Sequence, residues 1–200
     1  MQFFGFVVLL SLLAATPQAL PTNEPPLTPR IPWGQPDGAY VIHNQGTPNE
    51  LHERLPDVPE SSRLEYASRR TEILPRVDTL SKRDVFPENI ACGCVNLNHA
   101  DCDNATHDLE AQADGSYREL HRNECMYSIR GSVVAFDCSY GLVFDSRAEE
   151  LRRAWDYVSR HCGRYKAGTF GVRTGFGTGY MTSDHRNFGG DAWGSPRSSC

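Results

Sequence analysis

No cysteine occurs among the first 91 residues, and only two of the 13 prolines, Pro87 and Pro196, lie beyond residue 83. Each half lacks what the other has, so the N-terminal part cannot be held by disulfides. An excess of basic charge is also missing. The 200 residues carry 20 Lys+Arg against 25 Asp+Glu, a formal charge of −5, which argues against a phosphate-neutralising nucleic-acid binder or a polybasic membrane-surface protein. No apolar run approaches the roughly 20 residues that cross a bilayer as a helix. His-Glu-x-x-His, a serine nucleophile elbow and Gly-x-Gly-x-x-Gly are all absent, so no ready-made signature of hydrolysis or dinucleotide binding exists.

The longest apolar stretch that is present runs from Phe3 to Ala15 and is followed by Thr16, Pro17 and Pro21. A short apolar run closed by small and helix-breaking residues predicts a secretory signal peptide over residues 1–19. Ten prolines fall between Pro21 and Pro75. A Pro-rich, polar, cysteine-free segment buries too little apolar surface to offset chain entropy, so residues 20–83 are expected to form a disordered propeptide. Lys82-Arg83 marks its end. Two adjacent cations in an extended chain suit a kexin-type processing protease, which predicts a mature domain from Asp84 to Cys200. Arg69-Arg70 is a second such pair, and Arg152-Arg153 falls inside a predicted helix.

All seven cysteines, Cys92, Cys94, Cys102, Cys125, Cys138, Cys162 and Cys200, belong to this last part. In an oxidising secretory route they are disulfide candidates, and spacing alone does not choose the pairing. Cys92 and Cys94 are too close for an easy mutual bridge. They also crowd one strand, which makes them the first candidates for the odd cysteine. A zinc site over Cys92, Cys94, His99 and Cys102 fits no standard spacing.

Apolar spacing predicts one helix from Asp101 to Gly115, through Cys102, Ala105, Leu109 and Ala113. A second follows Ser146, which with Glu149 has the form of a capping box, and carries Leu151, Trp155, Val158 and Cys162 on one face up to Gly163. Between them, Cys125–Ile129 and Val133–Cys138 predict a hairpin. With a strand near Cys94–Leu97 and another at Thr169–Val172 or Gly179–Thr182, the order is β-α-β-β-α-β. The expected fold is an α+β sandwich, with two helices on one face of a four-stranded antiparallel sheet in the split arrangement.

A signal peptide, a cysteine-free propeptide ending in Lys82-Arg83, Cys92-Gly93-Cys94, the Asp101–Gly115 helix, the Cys125–Cys138 hairpin and a helix ending in His161-Cys162-Gly163 together resemble fungal secreted cysteine-rich effectors and killer-toxin-like proteins. The resemblance implies secretion and action on another organism, by binding a protein or cell-surface target. It lends no catalytic residue; no cofactor is expected, and the acidic charge balance argues against a nucleic-acid partner. The alternative is a small secreted hydrolase such as a ribonuclease, drawing on His99, His107, His121, His161 or His185 with Glu110, Glu119 or Glu124. Convergence of two of those histidines in one cleft would favour it.

Other patterns have plainer explanations. Asp101-Cys102-Asp103-Asn104 lacks the glycine and glutamate of a calcium loop, and its acids suit a helix N-terminus. The glycines from Gly171 to Gly179 suit a bulged strand better than a phosphate loop. Asn104-Ala105-Thr106 is a glycosylation sequon.

Overall fold

The alternating strand Cys125, Tyr127, Ile129 lies inside the main sheet, with strands paired on both of its edges. The structure, a computed structural model, describes residues 30–61 apart from 33, and residues 90–200 apart from 114–117, 142, 172–174, 186 and 189–198. The predicted signal peptide, the Arg69-Arg70 and Lys82-Arg83 pairs, Asp84 and the Gly115 helix stop lie outside the described residues.

Among the described residues, two helices and an antiparallel sheet make up the α+β fold. In chain order the described elements are β1 (Gly38–His43), β2 (Leu51–Arg54), β3 (Ile90–Asn96), α1 (His99–Ala113), β4 (Arg118–Leu120), β5 (Glu124–Arg130), β6 (Val133–Ser139), β7 (Phe144–Ser146), α2 (Ala148–Cys162), β8 (Lys166–Phe170) and β9 (Phe176–Thr182). The main sheet has seven strands in the order β2-β1-β5-β6-β9-β8-β3, and β4 pairs with β7 separately. Four strands are therefore too few. Both stretches proposed for the last strand are used, as β8 and β9, and two more strands come from the N-terminal segment.

Those two strands correct the expectation of disorder for residues 20–83 over the part described. Gly38–His43 lies between β2 and β5, with Tyr40 opposite Tyr127 and Ile42 opposite Cys125. Ala39, Tyr40, Val41 and Ile42 are all buried, as are Ile31 and Leu55. Mean composition hides so short a run, but an open strand edge supplies both the hydrogen bonds and the burial that the segment lacks alone.

Period-two alternation sorts the side chains of the sheet onto two faces. One face packs against both helices: Val41, Met126, Val133 and Ala135 meet Ala105, Leu109, Leu151, Trp155 and Val158 in one core. The other face gathers Tyr40, Ile42, Tyr127, Ile129, Val134, Phe136 and Met181, and Ile31 and Phe188 cover it. Tyr40 stacks on Tyr127 with ring centroids 5.2 Å apart, and Phe188 leans on Tyr127 at 5.3 Å.

The sequence places α2 correctly but misassigns its cap. Arg147 occupies the cap position and makes no side-chain cap hydrogen bond. Ser146 ends β7 instead and donates its hydroxyl to Asp137 Oδ2 at 2.6 Å. At the other end Gly163, at φ 97°, donates its N–H to the Ser159 carbonyl, the stop expected of glycine there.

Three disulfides are present: Cys92–Cys162 and Cys94–Cys200 join elements far apart in the chain, and Cys125–Cys138 links opposed residues of the β5–β6 hairpin. Cys102, buried in α1, is outside all three, so the odd cysteine is neither Cys92 nor Cys94. The reason is local. The pairing of β3 with β8 shifts register between Cys92 and Asn96, and Cys94 has φ 60°. Regular strand residues two apart share a face. The irregularity turns Cys94 away, so Cys92 reaches the core and α2 while Cys94 meets the C-terminal residue.

Candidate functional site

Polar side chains concentrate where the N-terminal strands meet β5. His43, the last residue of β1, lies between two carboxylates: Nδ1 is 2.8 Å from Glu124 Oε1 on β5, and Nε2 is 3.1 Å from Glu53 Oε2 on β2. Both ring nitrogens can donate only in the imidazolium, so this geometry selects the charged form. The Glu124 hydrogen bond accordingly raises the His43 pKa, against a smaller opposing effect of burial and with help from Glu53. Burial alone would push the Glu124 carboxyl up. The hydrogen bonds it accepts from His43 and from the His121 N–H outweigh burial and hold it below its usual value.

On the opposite face, His52 of β2 lies against Tyr127 of β5. Burial keeps the Tyr127 phenol protonated, and its hydroxyl is hydrogen-bonded with His52 Nδ1 at 2.8 Å. The other ring nitrogen, Nε2, donates to Glu50 Oε1 at 2.9 Å. Tyrosine, histidine and glutamate form a relay, but the Tyr127 side chain is wholly buried. The relay therefore presents no nucleophile to solvent, and its effect is to fix β2 and β1 against β5.

His43 and His52 do not converge. His52 is the register partner of Ile42, and Val41 that of Glu53, so the two histidines project from opposite faces of the sheet.

The histidines proposed for a hydrolase are dispersed. His99 stacks on Tyr165 with centroids 3.9 Å apart. His107 is buried in α1. His121 lies 3.3 Å from Glu119 at the surface. His161 donates from Nδ1 to the Tyr157 carbonyl in the last turn of α2, and His185 follows β9. Glu110 is committed to Arg152, at 2.8 Å. Among the described residues, no group of three His, Cys, Asp or Glu side chains is arranged to hold a metal ion.

Acids elsewhere join elements together. Asp108 on α1 accepts from Ser128 and Arg130 on β5. Asp101 accepts from the N–H and hydroxyl of Ser132 in the β5–β6 turn, both at 2.9 Å. Fully buried Asp137 accepts from Ser146 and from Thr178, each at 2.6 Å. Burial raises its pKa to about 6, although both hydroxyls oppose the shift. Asn104 is exposed on α1, where a glycan has room.

His43, His52, Glu50 and Glu53 are the residues that sequence reasoning missed, because they fall in the segment read as disordered. A usable signal was present: Ala39-Tyr40-Val41-Ile42 is a β-rich run followed by the turn residues Asn44 and Gly46. No family model, curated protein or solved structure matches the chain.

Proposed function

We propose that the chain is a secreted, disulfide-stabilised effector or toxin-like protein that acts on a host or competitor organism by binding, without catalysis. The observation that carries this is the dispersal of His99, His107, His121, His161 and His185 to separate places in the fold, with no two of them in one cleft among the described contacts. The three disulfides fit maturation in an oxidising compartment. Among the described residues, no helix is long and apolar enough to cross a membrane. Export through a signal peptide over residues 1–19 and cleavage after Arg83 complete the proposal. We read β3-α1-β5-β6-α2-β8 as a split β-α-β-β-α-β frame to which the remaining strands are added.

The test is a variant with His99, His121, His161 and His185 all replaced by alanine, compared with the parent protein on cells of a recipient organism and on RNA. Equal effects on cells, with RNA untouched by either protein, are expected. RNA hydrolysis by the parent that the folded variant lacks would establish the ribonuclease alternative instead.

A further inference from the structure

The cysteines and the strands divide the chain differently. All three bridges lie between Cys92 and Cys200, so nothing covalent ties the N-terminal segment to the rest once the backbone between them is cut. The sheet makes no such division, because β1 is an interior strand. Without it, β5 would be an edge strand exposing Cys125, Met126, Tyr127 and Ile129, all of which are buried in the structure. A long apolar edge of that kind invites aggregation.

The contacts that hold the segment extend along both faces and both ends. Beyond the β1–β5 ladder, Gln45 N–H donates to the Asn123 carbonyl, and Asp37 accepts from the Gly131 N–H in the β5–β6 turn. Gln112 of α1 donates to the Pro56 carbonyl, and Arg30 bridges to Asn187. The His43 and His52 clusters add side-chain bonds at the far end of β1.

We propose that residues 30–61 are retained after processing as a separate, non-covalently bound chain that completes the sheet, so that the active protein consists of two chains. This rests on the proposed cleavage after Arg83, in which water splits the Arg83–Asp84 peptide bond, leaving a carboxylate on Arg83 and an amine on Asp84. The strand addition is the same physics by which sheet edges capture extended peptides, with the captured peptide supplied by the precursor itself.

Native and denaturing mass spectrometry of the purified secreted protein, without reductant, tests this. The expected result is two masses under denaturing conditions, one of them the fragment from Asp84 to Cys200, and a single one-to-one complex under native conditions. A native particle made of the Asp84–Cys200 fragment alone, as monomer or dimer, would overturn the proposal. One uncut mass would refute the cleavage but not decide retention. In that event a full-length variant with a site-specific protease sequence in place of residues 80–83 is cut in vitro, and the same two native outcomes decide. In the cut protein, Ile42→Asp should speed loss of the N-terminal chain at least tenfold. An unchanged rate would show that β1 does not hold it.

Discussion

At His43 a single side chain links three strands, and its charge is what does the linking. A histidine whose pKa is raised in the folded state stabilises fully below its unfolded value of 6.5, and that contribution is lost as pH rises through the raised value. Glu124, whose pKa is lowered, contributes fully above its unfolded value of 4.5 and loses this as pH falls. The clasp is therefore strongest between about pH 4.5 and 6.5. Thermal melts across pH 5–9 should show stability declining above this window, and Glu124→Gln should flatten that decline. An unchanged slope would show that His43 is not the titrating group. Asp137 has the same sign in a lower window. Its carboxyl moves from 3.8 to about 6, so its contribution is complete below 3.8 and is lost by about pH 6. That loss is on the order of 3 kcal/mol. Asp137→Asn keeps a partner for both hydroxyls and should match or exceed the parent in stability at pH 8. A clear loss there would mean that the ionised carboxylate is the better partner.

Elements differ in how openly the sequence declares them. The β5–β6 hairpin and α2 are plain because each is long enough to repeat its own period: Cys125, Tyr127 and Ile129 share one face, and Leu151, Trp155, Val158 and Cys162 share another. β1 is apolar at Ala39, Tyr40, Val41 and Ile42 in succession and buried on both faces, so it shows no apolar–polar alternation, and β2 has only four residues; β1 is stabilised by β5, far away in the chain. The His43 and His52 clusters were hidden for the same reason, since their partners Glu124 and Tyr127 are brought near only by that pairing. The glycines near the C-terminus are legible in kind but not in cause. A Cβ on Gly179 would sit 2.2 Å from the Gly168 carbonyl oxygen, and one on Gly168 would meet the Cys162 sulfur at 2.8 Å. The bare backbones allow β9, β8 and the Cys92–Cys162 bridge to pack in register. Gly179→Ala should therefore destabilise by about 2–4 kcal/mol, as overpacking against backbone does, and a denaturant melt within 0.5 kcal/mol of the parent would refute the close approach.

Across the whole molecule, stability divides between two systems. Disulfides hold β3, α2, the C-terminus and the hairpin, whereas β1 and β2 are held without covalent links, by strand pairing, burial and the His43 and His52 side-chain bonds. The 70- and 106-residue separations of Cys92–Cys162 and Cys94–Cys200 are large loops whose closure stabilises by about 4–5 kcal/mol each in the chain-entropy model. Net stability of such a domain is only about 5–15 kcal/mol. Full reduction should abolish cooperative unfolding and biological effect together, whereas Cys102→Ala should leave three bridges by mass and lower stability by only about 1 kcal/mol. Loss of a bridge in that variant would reassign the pairing. The central claim is that residues 30–61 are part of the folded sheet rather than a discarded leader. Amide hydrogen exchange on the full secreted protein tests it most directly. The amides of Tyr40, Val41 and Ile42 should exchange only with global unfolding, as slowly as those of β6, and exchange at unfolded-chain rates there, with β6 protected, would contradict it.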